Sequence, residues 1–365
     1  MQARGLIHPA FTMSIMMTSQ ITVGMLAFQK YLYKAAEHDA WISVLATGLC
    51  AHFVIYLIFR TLAKFEYKSL YDIHRQLFGK WFGSLLNAVL ICYWILVSMY
   101  VLRNYIEVLL IWIFPEIHVW VFDLMFFVLI AYGLSGGIRV ISTVSVIHLL
   151  LLSWLVLLLY YPLKEADFRQ MLPVMQAGVD QIFGGMLAMG ATIGGFDVVF
   201  FTSSRMSKPH RIHRYAQFAL LSVNLLYLAM MLLSLGYYSG KQIENNSWGT
   251  LTMLKVIEFT FLERFEYIVI MMWFILVLAN LMISSWVIIQ GVTRIVPLKR
   301  KYVFALLCAL LLVVTQAIRT GDQLAVLSKL ISDCAIVFSF AYPFLLSVIV
   351  LLLSGVRRRR KGAPA

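Results

Sequence analysis

Apolar runs of roughly 18 to 25 residues recur along almost the whole of this 365-residue chain, and each is long enough to cross about 30 Å of hydrocarbon as a helix. A backbone in lipid must satisfy its own N–H and C=O groups, so repeated runs of this length, without the alternation of a barrel strand, specify a bundle of membrane-spanning helices. Ten spans are predicted, at residues 9–33, 40–60, 82–112, 118–134, 140–161, 180–204, 214–238, 266–290, 302–318 and 330–353. Hydrophobic residues make up 62% of the chain and charged residues 13%, far from the composition of a soluble domain. The first run is too long and too polar in its middle for a cleaved leader, so it is expected to be retained.

The net charge of +13 invites a nucleic-acid reading, but the basic residues fall in alternate connections. Arg60, Lys64, Lys68, Arg75 and Lys80 lie between spans two and three. Arg205, Lys208, Arg211 and Arg214 lie between six and seven, and Arg294, Lys299, Arg300 and Lys301 between eight and nine. With Arg4, Arg139 and the closing Arg357 to Lys361, they mark one side as cytoplasmic and place both termini there. No nucleic-acid partner is expected. The basic end of the chain, 355–365, reads as a topology anchor with affinity for anionic membrane lipid. Cys50, Cys92, Cys308 and Cys334 all fall within spans without metal-ligand spacing, so neither a disulfide nor a metal site is expected.

No linker divides the chain, which reads as one domain, 1–365. The longest stretch outside the spans, 239–265, repeats Leu251, Leu254, Ile257 and Phe261 at helical steps, and predicts a helix against the membrane or the outer mouth of the bundle. Ten spans divide into a first repeat of about 9–161 and a second of about 180–353. An odd number of spans per half makes the two halves inverted in topology. The first span of each half is interrupted. Span one contains "TSQITVG", with Thr18, Ser19, Gln20, Thr22 and Gly24; span six contains "GGMLAMGATIGGFD", with five glycines, Gly194 and Gly195 among them, and Asp197. Either stretch alone reads equally well as close helix packing. Paired at corresponding positions they point to broken helices and a binding site at mid-membrane.

Breaks of this kind have a definite electrostatic character. The outer half of span one would restart near Thr22 to Gly24 with unpaired N–H groups, which attract a carboxylate. The outer half of span six would stop near Ala191 to Ile193 with unpaired carbonyls, which suit an ammonium group. An α-amino acid carries both charges on one carbon. Asp197 would orient the ligand, carry a proton or cap the inner half of span six. His148, near Ser145 and Ser153, is a candidate proton relay or a neutral core histidine. Asn280, Ser284 and Ser285 form a polar stripe on span eight that would line the site or bond between helices. Arg103 and Glu107 are spaced to pair one helical turn apart. No Walker loop, nucleophile elbow or zincin helix is present, so neither an enzyme nor a cofactor is expected.

"SIMMTSQITVGML", "AWISVLATG", "GKWFGSLL", "GGFDVVFF" and "LERFEYIVIMMW" together resemble the spore germinant receptor B subunit family. That family is similar in turn to the amino acid, polyamine and organocation transporter superfamily with its LeuT-like fold. The resemblance covers roughly residues 8–355. It implies a spore inner membrane protein that senses a small-molecule germinant, an amino acid first among them, between spans one and six, in complex with A and C subunits. The chain departs from the family in two places: "TVG" stands where Gly-x-Gly is common, and Asp197 where Glu is common. The other readings are a proton-coupled amino acid transporter and a subunit of a small-solute or ion release channel. All three use the same site.

Overall fold

A computed structural model describes residues 6–257 and 264–361, with side chains to 353. Among these the regular secondary structure is helical apart from a single parallel bridge between Ile7 and Met206. By length and composition, seven helical stretches can cross a membrane, or eight if one sharply bent pair counts as a single span; Val119–Ser135 is a shorter apolar helix. The integral membrane character follows from these lengths.

The chain begins with α1 (Phe11–Gln20), a 3-10 turn at Val23–Leu26 and α2 (Phe28–Ala36). A second 3-10 turn, Glu37–Asp39, leads to α3 (Ala40–Lys64). Next comes α4 (Leu70–Trp112), longer than any single span requires. Gly79, at φ +81°, divides it into a short helix under the bundle and a membrane span. An L side chain rarely adopts that conformation, so the glycine sets the corner. Asn87 of the span donates back to the Tyr71 carbonyl and bonds His74, which holds the short helix in place. Then follow α5 (Val119–Ser135), α6 (Gly137–Leu158) and α7 (Tyr160–Glu165).

The second half opens with α8 (Val179–Ile193), a 3-10 turn at Phe196–Val198 and α9 (Val199–Thr202). The piece from Phe196 to Arg205 is bent by 44° from α8. It continues with α10 (Ile212–Tyr237), α11 (Gly240–Asn245) and α12 (Gly249–Met253), then α13 (Glu266–Ile295) and α14 (Arg300–Ala317). Last are α15 (Gly321–Ala335), a π-helical segment at Ile336–Ala341 and α16 (Tyr342–Lys361). Helix α13 is the central post: it packs against α4, α5, α6, α14 and α1, and every residue from Leu276 to Gly291 is buried.

Connections that the charge alternation assigns to one side meet each other. The Arg294 guanidinium donates to Asp72 at 3.0 Å, and Ser203 donates to the Tyr67 carbonyl. At the opposite end, Asp39 accepts from the backbone N–H groups of Met175, Gln176 and Ala177 at 2.6 to 2.8 Å. The Arg103–Glu107 pair forms at 2.6 Å, with Arg103 also donating to the Ile318 carbonyl.

One expectation needs correction. The described residues of 239–265 are not one continuous helix against the membrane or the outer mouth of the bundle. The described part is three short helical pieces, α11, α12 and a 3-10 turn at Leu254–Val256, with Leu251, Leu254 and Ile257 buried in the core; Phe261 lies outside the described residues. Thr250 donates to the Met25 carbonyl at 2.7 Å and accepts from Gln29 at 2.8 Å. Unmet carbonyls where the first span is irregular draw the segment inward, and helical periodicity alone does not register that demand.

Candidate functional site

Helix α1 stops at Gln20. Thr22 is extended (φ −135°, ψ −150°), and helical geometry resumes as a 3-10 turn at Val23 before becoming α-helical at Phe28. Among the described residues, nothing accepts a hydrogen bond from the backbone N–H groups of Thr22, Val23 or Gly24. Helix α8 ends at Ile193. Gly194 and Gly195 carry the chain through, Gly195 at φ +97°, and nothing among the described residues donates to the carbonyls of Ala191, Thr192 or Ile193. The two irregular stretches touch. A Cβ built on Gly24 would lie 3.6 Å from the Thr192 methyl, and one built on Gly195 would lie 2.6 Å from the Ser19 carbonyl oxygen. Gly195 therefore meets both reasons for glycine, left-handed backbone and close approach.

The carbonyls released at the end of α1 find partners on distant helices. Asn280 of α13 donates its amide to Thr18 at 3.2 Å and to Ser19 at 3.4 Å, and Tyr227 of α10 donates to Gln20 at 3.1 Å. Four buried side-chain oxygens nearby, Thr18 Oγ1, Ser19 Oγ, Gln20 Oε1 and Asn280 Oδ1, have no protein partner. Successive helical residues project about 100° apart, so these do not aim at one point. The Ser19 side chain faces Gly195, whereas Gln20 bonds back to its own helix at Met16.

Asp197 is buried, and its carboxylate accepts from the Ser339 hydroxyl at 2.9 Å. Gly195 holds the N-cap position of the inner piece, and Asp197 lies in the first turn of the 3-10 segment that follows. Ser339 also stands 3.4 Å from the Gly195 nitrogen and from the Tyr93 hydroxyl. Neither Ser339 nor Tyr93 was a sequence candidate. One signal was present: Pro343 has no N–H to return to the carbonyl four residues earlier, which is Ser339's, and the π-helical turn sits just before it.

The other candidates lie apart. Both ring nitrogens of His148 are buried without a hydrogen bond of normal geometry, and Ser145 and Ser153 bond back to their own helix. Ser284 turns back to the Asn280 carbonyl, and Ser285 is buried on the same helix. Thr22 is buried beside the extended turn. Two cavities of about 270 Å³ lie elsewhere, one lined by Arg139, Arg205 and Arg300 and one by Trp112, Trp248 and Lys255; neither is lined by Thr18 to Gly24 or Gly194 to Asp197. The two stretches are in contact at Gly24 with Thr192 and at Gly195 with Ser19.

A long buried central helix within an all-helical membrane bundle belongs to the LeuT-like transporter fold, as the solved structures that resemble it show. Solved structures of the same fold include a substrate-bound, outward-open Na⁺-coupled sialic acid symporter (TM-score 0.64, 14% identity, 92% of this chain and 79% of that one). A second is the nucleobase-cation-symport-1 family transporter Mhp1, closed with bromovinylhydantoin bound (TM-score 0.57, 13% identity, 89% and 75%). Within that class, residues 6–323 match the family described as spore germination protein, and the chain belongs to it. Its relatives include spore germination protein GerQB of Bacillus cereus, 30% identical over 92% of this chain and 93% of that protein. Spore germination protein A2 of Bacillus subtilis (strain 168) is 24% identical over 79% and 80%. The family resemblance read from the sequence is thereby established.

Proposed function

We propose that this chain is the germinant-sensing membrane subunit of a spore germination receptor. A small nutrient, an amino acid by preference, binds at mid-membrane between spans one and six and alters contacts with A and C subunits. In this reading ten spans form a five-plus-five inverted repeat in one domain. Spans one and six are broken, the spore inner membrane is the site of action, and both termini face the cytoplasm. One observation carries the ligand class: free N–H groups at Thr22 to Gly24 and free carbonyls at Ala191 to Ile193 lie in two stretches that touch, Gly24 beside the Thr192 methyl. Opposed helix ends at such close range complement a carboxylate and an ammonium on one small molecule. Ser19 and Asp197 then flank it from the inner side.

In this reading a ligand parts the touching stretches, and its preference for the parted state supplies the signal. Thermal-shift screening of the purified chain against amino acids, sugars and nucleosides tests the reading. A saturable rise with an amino acid, lost in Asp197→Asn, supports it; a response to other classes only would overturn the assignment.

The fold of symporters favours a second reading, proton- or ion-coupled transport. Unwound carbonyls commonly hold the coupling cation in such proteins, whereas here the Asn280 amide already bonds those of Thr18 and Ser19. That counts toward sensing without an ion. Concentrative, gradient-dependent uptake by the chain alone in proteoliposomes would decide for transport.

A further inference from the structure

On the inner face, three arginines surround one cavity of about 270 Å³, and no described acid pairs with them. Its lining includes Arg139, Arg205, Arg300, Gln290, Trp286 and Gly137. Asp72, the acid closest to hand, is taken by Arg294 at 3.0 Å. Arg294 also occupies the Gln290 side-chain oxygen at 3.1 Å, which leaves the Gln290 amide nitrogen as a donor for the cavity. Gln290 is only 8% exposed, so that donor is not a surface accident.

Two long helices begin at the same place. Helix α6 starts at Gly137 and α14 at Arg300; neither has an acid in its first turn or a side-chain cap. Their N–H ends add positive potential to that of the arginines. Gly137, at φ +69°, has open space where a Cβ would sit, so the wall is not closed by a side chain. Like charges gathered around a cavity are unfavourable unless an anion joins them. Planar guanidinium groups match phosphate oxygens in pairs, and basic pockets between spans on the cytoplasmic side suit anionic headgroups.

We propose that this cavity binds a phosphate-bearing anion, with Arg139, Arg205, Arg300 and the Gln290 amide as its donors. The anion is either a phospholipid headgroup of the inner leaflet or a soluble phosphate. Arg205 closes the helical piece that starts after Gly195, so a bound anion ties the inner half of span six to the starts of α6 and α14.

The full-length chain is melted in phosphatidylcholine nanodiscs with and without phosphatidylglycerol, and in detergent with inorganic phosphate replacing chloride at constant ionic strength. Phosphatidylglycerol is expected to raise the melting temperature saturably, with the half-saturating amount at least ~10-fold higher in Arg205→Gln/Arg300→Gln. Lys299→Gln/Lys301→Gln removes the same charge beside the cavity and is expected to leave the response unchanged. A saturable rise with inorganic phosphate and the same arginine dependence supports the site and assigns it a soluble ligand. Equal loss in the lysine pair, no phosphate-specific rise in the parent, or stabilisation by an acidic peptide alone overturns it. Should the arginine pair fail to fold, native mass spectrometry of the parent decides: preferential retention of phosphatidylglycerol over phosphatidylcholine supports the proposal, and indifference refutes it.

Discussion

The Ser339 hydroxyl donates to the Asp197 carboxylate at 2.9 Å, joining the π-helical turn before α16 to the glycine turn between α8 and α9. A buried carboxylate is costly unless donors reach it, and Ser339 is the side-chain donor that does so. Its position also 3.4 Å from the Gly195 nitrogen makes it the joint between the segment before α16 and the glycine turn after α8.

Ser339→Ala leaves the carboxylate without that donor, and the expected loss is about 1–3 kcal/mol of stability. Detergent melting curves check it. Asp197→Asn keeps the shape and removes the charge. In spores it is expected to raise the half-effective germinant concentration ~10-fold or more while the complex still assembles. Unchanged sensitivity would move the site elsewhere.

Gly195→Ala forces a side chain into left-handed backbone and against the Ser19 carbonyl oxygen, 2.6 Å away. Gly137→Ala meets the same conformational cost, about 1–2 kcal/mol, with open space around it. The first variant is expected to lower expression and melting temperature well beyond the second. Similar values for both would mean that the contact between the two interrupted stretches is not tight.

Asn280→Ala removes the amide that bonds the Thr18 and Ser19 carbonyls. A cost of about 1–3 kcal/mol follows from leaving buried acceptors unmet. Such a gap, lined by oxygens, suits a small cation. The melting temperature of the variant is expected to become sensitive to sodium, while that of the parent is not. Sodium dependence in the parent would revive ion coupling.

Asp39 holds three successive backbone N–H groups of the segment after α7. An asparagine presents one acceptor and a competing donor, so Asp39→Asn is expected to lose about 1.5–3 kcal/mol. Faster hydrogen exchange at Met175 to Ala177 would report it directly.

Apolar length and alternating basic connections are local properties, legible residue by residue, and they determined the membrane-embedded helical class; the family was legible in short strings such as "GGFDVVFF" and "LERFEYIVIMMW", and the polar, glycine-marked stretches coincide with the ends of α1 and α8. Hydrophobic transfer and backbone conformational preference act on short windows of chain, which is why so much survives without coordinates. Other features are decided between windows. Asn280 meets Thr18 across 262 positions and Ser339 meets Asp197 across 142; Arg139, Arg205 and Arg300 come from three separate connections. Residues 239–257 turn inward because Met25 needs a donor. Hydrogen-bond satisfaction in a medium without water is a demand of the assembled bundle, and only the tertiary structure shows which distant side chain meets each unfilled backbone group.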